Sequence, residues 1–488
     1  MAISVSERVS LLETGLLLGD RWVHETAAGT MDHTNPATGK VQKSFPVAGR
    51  VEIEEAVAAA RAAFPAWRDW RPDERRLVLQ RIAHLIGERG EEFGVISALE
   101  GGGPFSSRGS SVAASWFDYY AGWADKIDGS VYRPYSSRGL DYTLPEPVGV
   151  VAVIITWNGP IGFFGMSVAP ALAAGCCVVL KAPELAPFSS STFGRLCLEA
   201  GLPAGVLNIV TGGPECGDAL VRHPGIDKIS FTGGTATARI IQASAAESLT
   251  PMVMELGGKS ANIVFEDADL ERATVLAARF TNANGQGCSL PTRLLLQDSI
   301  HDRIVDQLLL HLQEKVVVGD PFDPRTTMGP VISEVACERI LSLIDRARDD
   351  GAGKVVLGGE RLGGDLAEGF FVPPTVFVNV NNSSEIAQNE IFGPVLSVLR
   401  FSDEDEAVAL ANDTHYGLAA YVQTNDISRG HRLASRLEAG NVHLNGSGPG
   451  PVSPSTPFGG IKQSGYGRQG ARVGLDEFLH TKNVFVNL

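Results

Sequence analysis

The stretch GQGCSLP, Gly285 to Pro291, sets Cys288 between a pair of glycines and a proline with no histidine in its sequence neighbourhood. A thiol so placed is either a small buried hydrophobe or a nucleophile whose thiolate is supported without an imidazole. The turn FTGGTATAR, Phe231 to Arg239, supplies Gly233 and Gly234 and then Ala238 where a third glycine might stand. Glycine at a tight turn lets backbone approach a phosphate, and a third small residue only eases helix packing, so the run fits a dinucleotide turn as well as an ordinary strand-to-helix turn. In LKAPE, Lys181 and Glu184 follow a hydrophobic strand at its carboxyl end, where open α/β sheets bind ligands. A carboxylate there accepts ribose hydroxyls and repels a ribose 2′-phosphate, which favours NAD over NADP, although two charged residues at a strand end are also ordinary solvated surface.

The elements that must carry these residues follow from periodicity. Residues 51 to 92 repeat apolar positions at three and four, in IEEAVAAARAAFPAW and ERRLVLQRIAHLIGERG, which predicts two amphipathic surface helices. Beyond Pro147, VGVVAVIITWN, CCVVLKAPE, LNIVTGG, IDKISFTGG and PMVMELGG are short β-branched runs separated by helical stretches such as FGMSVAPALAAG, SSTFGRLCLEAG and TATARIIQASAAES. Such alternation predicts parallel strands with crossover helices in a doubly wound, Rossmann-type sheet. A second alternating set from SANIVF to about Leu444 predicts another α/β domain, and it contains Cys288. The segments SVYRPYSSRGLDYTLPEP and EFLHTKNVFVN read as strands outside the main sheets, suited to adding to a sheet edge in a neighbouring subunit.

Composition bounds the partners. A chain of 488 residues with 44% hydrophobic content exceeds what one core usually supports, and its net charge of −15 leaves no overall electrostatic footprint for nucleic acid or an anionic membrane. The six cysteines show no CxxC pair and no His-rich spacing, so neither a metal nor a disulfide framework is expected, and reduced thiols in the cytoplasm are. Neither a signal peptide nor a membrane span is evident, since the N-terminal apolar residues are interrupted by Glu7, Arg8 and Glu13.

With MELGGKSANIVF and FTNANGQGCSLPTR, and with EPVGVVAVIITWN, FTGGT, NEIFGPV and PFGGIKQSGYGR, the chain resembles the aldehyde dehydrogenase superfamily in motif order and spacing over essentially its whole length. The resemblance implies an α/β fold with an NAD-binding domain at residues 1–125 and 147–254, a catalytic domain at 255–459 and a small β oligomerisation region at 126–146 and 460–488, assembled as a homodimer or homotetramer. It implies oxidation of an aldehyde to a carboxylic acid with NAD, NADP being the less favoured cofactor. Cys288 would attack the aldehyde to give a thiohemiacetal, with its thiolate favoured by backbone dipoles and by the positive charge of bound oxidised nicotinamide. The Asn158 side chain and the Cys288 N–H would form the oxyanion hole, and Glu255 would activate water against the thioester. Lys181, Glu184, Gly233, Gly234, Glu390 and Phe392 would hold the cofactor, and Lys259 receives no role.

Departures from the family pattern stand at Gly159, Gly234, Ser289-Leu290-Pro291 and Gln469. The first three reshape walls, Gly159 widening the aldehyde passage and Leu290 and Pro291 stiffening its floor and restricting one side, and Gln469 lacks the carboxylate some relatives carry, which leaves Glu255 as the principal base. Trp157, Phe163, Phe164 and Phe458 either line an entrance, favouring a medium-sized apolar or aromatic aldehyde, or pack the domain interface. A CoA-acylating relative and a catalytically silent binding protein are the alternative readings; an intact Asn158, Glu255 and Cys288 set argues for the hydrolytic enzyme.

Overall fold

The β-branched runs VVAVI, CVVLKA, LNIVT and KISFT are buried along their full length, as strands covered on both faces must be. The computed structural model describes residues 5–135, 138–446 and 453–487. In its eight-stranded sheet, Met252–Glu255, Lys228–Thr232, Val150–Ile154, Cys177–Ala182 and Leu207–Thr211 lie side by side and parallel. The chain runs from Val150–Ile154 outward through Cys177–Ala182 to Leu207–Thr211, then returns to the other side with Lys228–Thr232 and Met252–Glu255. Strand order therefore reverses between Val150–Ile154 and Lys228–Thr232, and the crevice beyond their carboxyl ends is where such a sheet receives a ligand. The helices Arg50–Asp69, Phe188–Glu199 and Thr235–Ala245 form as expected from their apolar spacing.

A seven-stranded sheet carries the second half, in the order Lys354–Leu357, Thr375–Val378, Val395–Phe401, Arg293–Gln297, Ala261–Val264, Ala419–Gln423 and Asn441–Leu444. All its neighbours are parallel except the first pair. The short segment Leu256 to Ser260 joins Met252–Glu255 of the first sheet to Ala261–Val264 of the second.

Outside both, Leu479–Asn487 pairs antiparallel along the whole of Gly139–Pro147, which also pairs with Val131–Tyr132. This ribbon leaves Leu140, Leu144, Phe485 and Val486 between 40% and 44% exposed. The C-terminal segment is divided, however: Gly465–Tyr466, expected with this ribbon, pairs antiparallel with Met254 and Glu255 at the edge of the first sheet. A glycine is required for that approach, because Gly465 has φ 110° and a Cβ there would lie 1.9 Å from the Met254 carbonyl oxygen. Among the described residues no helix is long and apolar enough to cross a membrane.

Candidate active site

The loop carrying Cys288 is set by backbone conformations that few residues adopt. Ala283, Asn284 and Gly285 are successively left-handed, with φ 47°, 57° and 76°. A Cβ on Gly285 would lie 2.1 Å from the Pro394 nitrogen, so only a glycine lets the loop press against the Gly393-Pro394 backbone. Side chains then fix it. Asn284 donates to Pro330 O at 2.9 Å and accepts from Gly329 N at 2.7 Å, and Gln286 Oε1 accepts from Ile332 N at 2.9 Å. The Tyr421 hydroxyl donates to Ser289 O at 2.8 Å. Asn284, Gln286 and Tyr421 are buried, and sequence reading passed over all of them; the signal available was their placement around an apolar strand or a turn, where a buried amide or phenol must find a partner.

Five of the six cysteines are buried and Cys288 alone is partly exposed. Its thiol is pushed up to about 12, by burial first and then by the negative charges of Glu390 and Glu255, against smaller opposing contributions from the Cys288 and Ser289 backbone N–H groups. The expected backbone support for the thiolate is thus present but outweighed, because desolvation and two nearby carboxylates act in the other direction.

Asn158 follows the strand Val150–Ile154 at the order reversal, and its side-chain N–H donates to Gln286 O at 2.9 Å, within two residues of Cys288. Its Oδ1 is buried without a partner among the described residues. Gly159 has φ 120° and open space where a Cβ would stand, so glycine is required there by the backbone and leaves room beside Asn158.

Glu255 ends its strand in register with Thr232, and its carbonyl accepts the Gly233 N–H at 3.1 Å, tying it to the glycine turn. The side chain is 4% exposed, with both carboxylate oxygens buried and unpartnered among the described residues. Burial raises its pKa well above the ordinary carboxylate value; Arg468 opposes that rise, Glu477 reinforces it, and the nearby Gly460 N–H, not aligned for a hydrogen bond, opposes it weakly.

The two glycines after Glu255 admit the remaining groups. A Cβ on Gly257 would stand 1.9 Å from Glu390 Oε2, and one on Gly258 would stand 2.7 Å from Cys288 O. Gly258 N donates to Glu390 Oε1 at 3.1 Å. Burial pushes Glu390 up to about 7, opposed by that N–H and by Lys259 and Arg339. Phe392 holds a left-handed backbone, φ 51°, a rare and strained state for a bulky residue, and its ring meets Trp157 edge-on at 5.3 Å. Of the other aromatics considered for an entrance, Phe164 is fully buried and stacks on Phe193 at 4.2 Å, which makes it core packing. Gln469 is also buried and donates to Ser167 Oγ at 3.0 Å.

A cavity of about 400 Å³ opens beyond the reversed strands, bordered by Lys181, Glu184, Gly233, Gly234, Val221 and Ile241. Lys181 Nζ pairs with Glu184 Oε2 at 2.7 Å. Gly234 begins the helix Thr235–Ala245 with no side-chain cap, leaving its first N–H groups for an anion. An apolar slot between helices, uncapped N–H groups and a carboxylate at the strand end make a donor and acceptor set that fits a dinucleotide. These contacts bring Cys288, Glu255, Asn158, Glu390 and Phe392 together between the two sheets, and Lys181, Glu184, Gly233 and Gly234 border the cavity, which Trp157 also lines.

Known proteins resemble the chain over nearly its whole length. The aldehyde dehydrogenase family model matches residues 22–484. A peroxisomal aminoaldehyde dehydrogenase 1 of Pisum sativum is 40% identical over 99% of this chain and 96% of its own. The mitochondrial succinate-semialdehyde dehydrogenase of Arabidopsis thaliana is 40% identical over 99% of this chain and 92% of its own. Among solved structures, betaine aldehyde dehydrogenase of Staphylococcus aureus in complex with NAD+ superposes with a TM-score of 0.95 at 36% identity, covering 99% of this chain and 97% of that one. The chain belongs to the aldehyde dehydrogenase family, the enzymes that oxidise aldehydes with NAD(P).

Proposed function

We propose that this aldehyde dehydrogenase works through Cys288 as nucleophile, Asn158 with the Cys288 N–H as oxyanion hole, and Glu255 as the base for hydrolysis. The observation that carries the reading is Glu255: a buried carboxylate with neither oxygen engaged, at a strand end beside the loop of a partly exposed thiol. Cys288 Sγ adds to the aldehyde carbon, and the oxygen gains negative charge as the tetrahedral centre forms. The second N–H of the Asn158 amide, the first being held by Gln286, and the Cys288 backbone N–H stabilise that charge. Glu390 and Phe392 would hold the nicotinamide end of NAD, and Lys181, Glu184, Gly233 and Gly234 its other ribose and phosphates; when bound, the cofactor would accept the hydride that leaves the thiohemiacetal carbon, which leaves a thioester on Cys288. Glu255 then takes a proton from water as the water oxygen attacks the thioester carbonyl, the C–S bond breaks, and the acid leaves Cys288 as thiolate.

NAD is preferred because Glu184 suits ribose hydroxyls and disfavours a 2′-phosphate. The substrate is a medium-sized apolar or aromatic aldehyde, a reading supported by the Trp157–Phe392 pair and the open space at Gly159. The exposed apolar residues of the three-stranded ribbon support a homodimer or homotetramer in which Leu479–Asn487 docks on a neighbouring copy. Free cysteines throughout support a reducing compartment, the cytoplasm. An aldehyde panel with NAD and with NADP, following reduced-cofactor absorbance and identifying products by mass, tests the reading: free carboxylic acid with NAD is expected, and product only in the presence of CoA would overturn hydrolysis.

A further inference from the structure

Glu255 is asked to act as a base in a place that disfavours its charge. Neither carboxylate oxygen makes a close hydrogen bond among the described residues and the Gly460 backbone N–H contributes only weakly, so what chiefly favours ionisation is charge acting through space. The charged and titratable groups that face it are Arg468 and Glu477, from the turn after Gly465–Tyr466 and the end of the following helix, and the Cys288 thiol from the catalytic loop. Lys228, on the neighbouring strand Lys228–Thr232, is engaged by Glu477 Oε2 at 2.7 Å.

Arg468 is built to project its charge at Glu255. Its Nη1 donates to Gly460 O at 2.9 Å and to Gly467 O at 2.7 Å, which pins the guanidinium on neutral carbonyls. Among the described residues no carboxylate lies within ion-pair distance of it. Glu255 Oε1 and Arg468 Cδ flank the same bare carbon: a methyl group on Gly459 would touch them at 2.6 and 2.9 Å. Glu477 ties into this frame by accepting the Arg468 backbone N–H at 3.2 Å, so one carboxylate holds Arg468 in place while its own charge opposes ionisation of Glu255.

We propose that Arg468 is the positioning residue that keeps Glu255 ionised for attack on the thioester and that Glu477 limits this effect, the pair together setting the pH at which the acyl-enzyme is hydrolysed. The inference rests on Glu255 as the base. A cation held close in a partly desolvated site stabilises the carboxylate, and the like charge of Glu477, partly offset by Lys228, works against it. Two neighbours of opposite sign therefore predict opposite displacements, which damage to packing would not produce.

The test is the pH profile of deacylation, measured in the purified full chain as the steady-state rate after a burst of NADH. Arg468→Gln should move the acid limb to higher pH by about one unit, a roughly tenfold slower deacylation below the limb, with the burst amplitude kept; Arg468→Lys should restore most of the position. Glu477→Gln should move the limb to lower pH, and it serves alone should Arg468→Gln fail to fold. In Glu255→Gln the limb should vanish. A limb unmoved in the Arg468 and Glu477 variants but lost in Glu255→Gln overturns this inference alone, whereas a limb that persists in Glu255→Gln overturns the base assignment beneath it.

Discussion

The Asn158 side chain donates to the Gln286 carbonyl at 2.9 Å, so one N–H of its amide is spent on holding the Cys288 loop and one is left for the proposed oxyanion. Asn158→Ala removes both. Loss of a single oxyanion donor costs about 10² to 10³ in kcat, and a drop in that range is expected with KM little changed. Stopped-flow measurement of the NADH burst should show the slowing in acylation; a variant with slow turnover but an unimpaired burst would remove Asn158 from the oxyanion hole.

The Cys288 thiol, pushed up to about 12, is protonated throughout the neutral range in the cofactor-free protein. Its thiolate fraction therefore rises with pH below that value, and alkylation by iodoacetamide should accelerate about tenfold per pH unit. Adding NAD should accelerate it further at fixed pH. Mass mapping after a short pulse should find Cys288 modified before the five buried cysteines; a rate independent of both pH and NAD would contradict the account of its charge state.

Glu184 pairs with Lys181 at 2.7 Å on the cavity proposed for the cofactor. Removing its charge by Glu184→Gln should narrow the preference for NAD chiefly by improving NADP, since Lys181 is then free for a phosphate. The ratio of kcat/KM for the two cofactors is the measurement, and equal use of both by the unmodified enzyme would end the argument.

Glu255→Gln should trade activity for stability. The folded carboxyl titrates above its ordinary value, so its contribution to folding is full below about pH 4.5 and is lost as pH rises through the folded pKa. Near pH 8 the neutral amide should therefore raise Tm by a few degrees, and the gain should shrink toward pH 5. Calorimetry at both pH values checks the sign; the same variant should give an NADH burst and then turnover slowed by at least about tenfold. Undiminished turnover would take Glu255 out of the mechanism.

The division of the chain into two α/β sheets and an outlying ribbon was legible because strand runs of one polarity and helices of another leave their period in the sequence. The helices 50–69 and 72–88 and the strands after Pro147 stand where their spacing predicts them. Gly465–Tyr466 did not, because two residues carry no period and their pairing depends on a glycine's freedom beside Met254. The residues gathered at the site were named through motifs, whereas their restraints, Gln286, Tyr421 and Arg468, are ordinary polar residues whose partners lie far along the chain. The charges that bear on the Cys288 thiol in the cofactor-free protein were illegible for the same reason: Glu390 is about a hundred residues away in sequence yet its charge falls on Cys288.

The short crossing Leu256 to Ser260 has a consequence for how such enzymes are remodelled. Glu255 is anchored in one sheet, Gly257 and Gly258 admit Glu390 and Cys288 of the other, and no slack separates them. A chimera that joins the front half of one relative to the back half of another at this seam would inherit mismatched halves of a single active centre. On the proposed assignment, exchange of nucleotide preference is therefore engineered around Glu184, well upstream, leaving the joint itself untouched.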